Sequence, residues 1–144
     1  MRLHKFLGTR LGLLYTNLCT RNYICMAIST YKSELEVPVP VDQLFSWHEN
    51  PGAFERLTPP FEPVKVKKKK GGIDGGEVHL QMKIGPIPLP WVARHHDYIK
   101  NQQFLDEQVS GPFALWNHAH LFEKIDAKSS KLIDEIDYKL PFGT

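Results

Sequence analysis

Residues 104–122 read FLDEQVSGPFALWNHAHLF. On either side of Gly111-Pro112 the side chains alternate with period two. Phe104, Asp106 and Gln108 therefore share one face, and Trp116, His118, His120 and Phe122 share one face of the next segment. This is the pattern of two adjacent antiparallel strands. The aromatic faces should turn inward, because leaving Phe104, Trp116 or Phe122 in water forfeits roughly 1.5 to 3 kcal/mol each. Asp106, Gln108, His118 and His120 then fall on the buried side with them. A carboxylate and two imidazoles inside a sheet are costly unless they bond to one another, to water or to a ligand. An apolar cavity with a polar lining satisfies them most simply.

The flanking sequence extends the same sheet. Upstream, Tyr31, Ser33, Leu35 and Val37 alternate with Lys32, Glu34 and Glu36, which predicts a half-buried strand ended by Pro38 and Pro40. Val41, Leu44, Phe45 and His48 recur at helical spacing, with Asp42 in the first turn where the helix dipole favours it. Asn50-Pro51 reads as cap and first residue of a second short helix carrying Phe54 and Leu57, which Thr58-Pro59-Pro60 ends. The lysines of Val64 to Lys70 alternate with valine and precede Gly71-Gly72. They predict a charged edge strand rather than an anion-binding patch. Val78, Leu80, Met82 and Ile84 form the inward face of the next strand. Gly85 to Pro90 should be a proline-rich connection before Trp91, Ala93 and His95. The last strand starts near Ser130 and places Leu132, Asp134, Ile136, Tyr138 and Leu140 on one face. The sum is one strand, two short helices and six strands joined by short turns. Such a curved antiparallel sheet needs a second layer over its concave face, which two short helices should not supply.

Composition narrows the function. A chain of 144 residues with 42% hydrophobic content supports one domain with a real core. The net charge of +2 comes from residues 1–25, where Arg2, Lys5, Arg10 and Arg21 meet no acid; the remainder carries 14 basic against 16 acidic side chains. No nucleic-acid partner is expected from such a balance. Both cysteines, Cys19 and Cys25, lie in the same leader, so the body has neither a disulfide framework nor a thiol site. No apolar run approaches a membrane span, and the leader is a poor secretory signal. A cytoplasmic protein is expected. Residues 1–25 read as a dispensable extension or a mis-called start, with an organelle presequence as the alternative, and residues 26–144 as the domain.

The run LFSWHENPGAFERLTPPFEPV from Leu44 to Val64, the GPxxxxW segment from Gly85 to Trp91 and FxDxQxxGPFxxWxHxHxF from Phe104 to Phe122 closely resemble the ligand-binding SRPBCC proteins. These are the START and Bet v 1-like superfamily, in its cyclase/dehydrase-like branch. The resemblance implies an α+β helix-grip fold, in which a curved seven-stranded antiparallel sheet with two short helices wraps a long C-terminal helix around a deep cavity. The sequence stops after the seventh strand, so that helix is expected to be missing, either truncated or supplied in trans. Members of this branch are also found joined to an epimerase-like domain, a further partner that the resemblance implies.

The site expectations combine both lines. Leu80, Met82, Trp91, His95, Asp106, Gln108, Trp116, His118, His120, Phe122, Asp134 and Tyr138 are expected to contact a small hydrophobic ligand with a polar group. His118, His120 and Asp106 are the candidates for acid/base work on an enolisable carbonyl compound, as in a polyketide cyclase or dehydratase. A two-His, one-carboxylate metal site has a plausible residue set, but no metal and no cofactor is expected. The same side chains also suit a buried hydrogen-bond network. The leading expectation is a binding module without turnover, ahead of the cyclase or dehydratase and of a protein-interaction module. Trp47 and His48 lie on a helix near the cavity mouth, with ordinary packing an equally good account of them.

Overall fold

In a computed structural model, which describes residues 27–58 and 64–141, the alternating stretches are strands and the helical spacings are helices. The order is β1 (Ser29–Val37), α1 (Val41–Glu49), α2 (Ala53–Leu57), β2 (Lys65–Lys70), β3 (Glu77–Ile84), β4 (Ile87–Ile99), β5 (Gln103–Ser110), β6 (Leu115–Lys124) and β7 (Ser130–Lys139). The seven strands form one antiparallel sheet ordered β1-β7-β6-β5-β4-β3-β2. Residues 1–25, and the expectation attached to them, lie outside the described residues, as do Pro59 and Pro60. No helix among the described residues is long and apolar enough to cross a membrane.

Three local expectations change. Asn50-Pro51 does not start α2: Asn50 closes α1, its N–H reaching the Trp47 carbonyl, and α2 begins two residues later behind Gly52, whose φ of 83° suits glycine. The connection before β4 is also shorter than the prolines suggest. Ile84 pairs with Ile87 across Gly85-Pro86, a two-residue hairpin with glycine first, at a φ of 59°. Pro88 and Pro90 belong to the strand because β5 pairs with β4 only from Val92 onward, leaving the proline stretch one unpaired edge where a missing N–H costs little. The expected partial burial of β1 is the third change. Tyr31 and Leu35 lie on the inner face opposite Ile136 and Leu132, yet are 56% and 57% exposed.

The two helices cover more of the inner face than expected, but only at one end. Phe45 on α1 is fully buried against Phe104, Phe122 and Leu132, with Val41, Leu44, Ile73 and Tyr98 around it. Its ring meets Phe122 edge to face at 4.9 Å and Tyr98 at 5.6 Å. Buried Ser130 donates to the Val39 carbonyl at 2.7 Å and ties the start of β7 to the segment leading into α1. The lysine-rich β2 does form a sheet edge, and Lys69 joins it to α2 through Glu55 at 2.8 Å.

Candidate functional site

Register places the polar residues before any side-chain detail. His95 on β4 lies opposite Asp106 on β5, which lies opposite His118 on β6; one step along, Phe104, His120 and Asp134 face one another across β5, β6 and β7. Five ionisable groups therefore share one patch of the inner face. Imidazoles and carboxylates alternate along a continuous chain. His95 Nδ1 bonds Asp106 Oδ1, and His120 Nε2 donates to the other oxygen, Asp106 Oδ2, at 3.2 Å. His120 Nδ1 lies 2.8 Å from Asp134 Oδ1 but out of line for a good hydrogen bond, and His118 Nε2 donates to that same oxygen at 3.1 Å. Phe104 stacks on His120 with centroids 4.4 Å apart and shields it from water.

The charges in this chain hold one another. Burial opposes the charged form of His120, yet its bond to Asp106 and the nearby carboxylate of Asp134 outweigh burial and raise its pKa to about 9. Burial likewise works against the Asp106 carboxylate, but His120 and His95 hold it well below the usual range. Asp134 is lowered in the same way by His118 and His120. At neutral pH the centre of the site is an imidazolium between two carboxylates. Such a group donates a proton or stabilises a developing oxyanion; it is not a general base. Asp106, His118 and His120 each bring a ligand atom within 4.8 Å of the others, so a shared cation is sterically possible. To bind one, His120 and Asp106 would have to give up bonds they already make.

A cavity of about 260 Å³ opens beside this chain. Its floor is Val78 and Leu80 of β3, Ala93 and His95 of β4, Phe104 and Asp106 of β5 and His120 of β6. Its roof is His48 of α1, Pro51, and Ala53, Phe54 and Leu57 of α2, and Gly71, Gly72 and Ile73 of the β2–β3 loop close one side. That loop is fixed at Gly76, which is buried and whose N–H and carbonyl bond Gly72 and His95; a Cβ there would strike the carbonyl oxygens of Gly72 and Lys70.

Of the expected ligand contacts, Leu80, His95, Asp106 and His120 line this cavity. His118 and Asp134 belong to the hydrogen-bonded chain but not to the wall. Phe122 is in the core beneath α1. Trp91, Trp116 and Tyr138 gather elsewhere, around Phe113: Trp91 meets Trp116 at 5.2 Å, Phe113 meets Trp116 at 4.8 Å and Tyr138 at 6.4 Å. Gln108 holds the nearby β5–β6 loop, donating to the Phe113 carbonyl at 2.8 Å and accepting from the Phe113 N–H. Met82 is half-buried on β3. Sequence reasoning did not find the wall made by Ile73, Pro51, Ala53, Phe54 and Leu57. The single apolar residue inside GGIDGG was the available signal for Ile73. His48, expected near the cavity mouth with packing as the alternative account, is both buried and part of the cavity wall. It is 7% exposed, and its Nδ1 lies 2.8 Å from the Leu44 carbonyl.

The sequence profile of a family described as "Polyketide cyclase / dehydrase and lipid transport" matches residues 37–144. Among solved structures, an aromatase/cyclase from Streptomyces sp. R1128 superposes with a TM-score of 0.64 at 16% identity, covering 81% of this chain and 72% of that one. A START superfamily protein from Mycobacterium smegmatis gives 0.62 at 14% identity, with 80% and 79% covered. A nucleoside-diphosphate sugar epimerase from Corynebacterium glutamicum gives 0.65 at 27% identity, covering 74% of this chain but only 24% of that one. No match was found among curated proteins. The START and Bet v 1-like fold expected from the sequence is thereby shared with solved proteins.

Proposed function

Because the chain belongs to the polyketide cyclase/dehydrase and lipid transport family, we propose that it holds a small, largely apolar molecule with a polar group in the cavity under α1 and α2. The observation that carries this reading is the composition of the wall: mostly apolar residues, with His95, Asp106 and His120 as a polar strip across the floor and His48, Glu49, Asn50 and Lys69 as its other polar members. Such a pocket rewards burial of an apolar body and orients it through a few polar contacts. The ionisable groups of the strip are bonded to one another through Asp106, so they stand as a preformed polar surface. The likeness to a quarter of an epimerase chain concerns this domain alone and brings no sugar-nucleotide chemistry with it.

The test is extraction of the purified protein with organic solvent followed by mass spectrometry. An apolar molecule should be recovered, and Leu80→Trp, which fills the cavity floor, should remove it. Recovery of the same molecule in equal yield from Leu80→Trp would end the cavity assignment.

A second reading, a cyclase- or dehydratase-like reaction, is favoured by one observation. His120 is a charged acid on the cavity wall with Asp106 fixing its orientation. A carbonyl oxygen placed against it would be stabilised as it enolises. Turnover of a bound carbonyl compound that disappears in His120→Gln while binding persists would establish this reading.

A further inference from the structure

We infer that Nε2 of His95 is a general base facing the cavity, so that the site accepts an apolar ring compound with an acidic C–H and takes a proton from its carbon. This inference rests on the cavity reading above, and adds the residue that acts and the class of compound it acts on.

The tautomer follows from geometry. His95 and Asp106 are directly opposed on β4 and β5, and Nδ1 of His95 bonds Asp106 Oδ1. A carboxylate only accepts, so Nδ1 carries the proton and the lone pair of the neutral ring stands on Nε2. Asp106 gives its other oxygen to His120, so its charge is already countered by that imidazolium. One carboxylate thus holds two imidazoles in different roles, His120 as the cation and His95 as an oriented ring with a bare nitrogen at its far end. Phe104 packs edge-on against that ring at 6.0 Å. Nε2 of His95 has no hydrogen-bond partner among the described residues and is not one of the side-chain nitrogens sealed inside the protein. The side chain is 14% exposed and lines the cavity floor.

The other groups of the wall are unsuited to the role. In His120, Nε2 is bonded to Asp106 and Nδ1 is buried beside Asp134; in His48, Nδ1 meets the Leu44 carbonyl and Nε2 is buried. The indole of Trp47, edge-on to His48, can only donate. Both oxygens of Asp106 are engaged, Glu49 is exposed and accepts from the Tyr98 hydroxyl at 2.8 Å, and Lys69 is paired with Glu55. His95 is the base that remains. A carbon acid resting in the pocket would give its proton to Nε2 while the C–H electron pair moves into an adjoining carbonyl, leaving an enolate. Asp106, still bonded to Nδ1, stabilises the imidazolium that forms, and the proton then returns to carbon or passes to water.

Nitrobenzisoxazole provides the test. When a base removes the hydrogen of its isoxazole carbon, the C–H electron pair forms a nitrile, the N–O bond breaks and the oxygen leaves as a coloured phenolate. With the full chain the rate of colour formation should saturate with probe concentration. His95→Gln, whose amide can still donate to Asp106 but offers no base, should lower the saturated rate by about a hundredfold. His79→Gln, at an outer-face histidine bonded to Glu77, should leave it unchanged. The same compound methylated at the isoxazole carbon cannot react, so isothermal titration calorimetry with it reads binding separately. If that analogue binds, then no turnover by the unaltered protein, or a loss of less than about tenfold in His95→Gln, would overturn the inference while leaving the cavity reading intact. Failure of both compounds to bind the unaltered protein would overturn the cavity reading and this inference with it. Should His95→Gln fail to fold by circular dichroism, nitrogen NMR of the unaltered protein decides: His95 must show a protonated Nδ1 and a bare Nε2 at neutral pH, and a proton on Nε2 would overturn the inference.

Discussion

Asp106 lies directly opposite His118 in the β5–β6 register, but it bonds His120, the diagonal neighbour, at 3.2 Å. Diagonal pairs stay within reach of long side chains, and here the choice divides the imidazoles between two carboxylates. Asp106 takes His95 and His120; Asp134 takes His118 and lies close to His120.

The first expectation concerns that division. A double-mutant cycle of Asp106→Asn with His120→Gln should give a coupling of at least about 1 kcal/mol, whereas Asp106→Asn with His118→Gln should stay within about 0.5 kcal/mol. Urea denaturation of the four proteins in each cycle reads this out. Equal couplings would show that the directly opposed pair matters as much as the bonded one.

The pH dependence follows from His120. Its folded pKa, about 9, is raised above its ordinary value of 6.5. The stabilisation is therefore complete below pH 6.5 and lost as pH rises toward 9. At full strength it is on the order of 3 kcal/mol. Asp106 and Asp134 are shifted down, so their stabilisation is present above the ordinary carboxylate value of 3.8 and fades only as pH falls further. Stability should thus be greatest between these limits and decline on the alkaline side. His120→Gln should flatten the alkaline decline; a wild-type slope retained in that variant would assign the titration to another group.

Packing provides a third check. Phe45→Ala removes a fully buried ring and should cost about 3 to 5 kcal/mol, whereas Tyr31→Ala, on the sheet face that Phe45 packs against but more than half exposed, should stay within about 0.5 kcal/mol. A large loss at Tyr31 would mean that the β1 end of the face is covered.

Metal binding can be tested directly. Because Asp106 and His120 are already bonded to each other, protein purified without added metal should contain far less than one equivalent of zinc or iron. Its melting temperature should not respond to a chelator. Stoichiometric metal lost together with stability would make the cluster a metal centre.

The sheet was legible in the sequence because period two is a local property: Trp116, His118, His120 and Phe122 had to share a face wherever the strand went. The shared face of Asp106 with the two histidines was legible for the same reason. Which histidine Asp106 would choose was not, since side-chain direction and sheet twist decide between opposite and diagonal neighbours. The cavity roof was less legible still. Phe54, Leu57 and Ile73 reach it only through the placement of α2 and the β2–β3 loop, and neither has a periodic signal long enough to fix where it docks. Asn50-Pro51 misled because a capping residue and a turn residue look alike without their hydrogen bonds.

The place of β1 in the strand order sets a problem of timing. Strands β2 through β7 each pair with the next in sequence, so that ladder grows by local closure, but the sheet neighbour of β1 is β7. Thr30 meets Asp137 at 2.6 Å across 107 residues of chain. On the ribosome the first strand of the sheet therefore waits for nearly all the others to be synthesised before its partner exists. Long-range closures of this kind are slow steps in folding. During the wait, β1 is an unpaired extended segment able to pair with the wrong chain. Lys32, Glu34 and Glu36, charged at every second position, keep it solvated and make such encounters unproductive until β7 arrives.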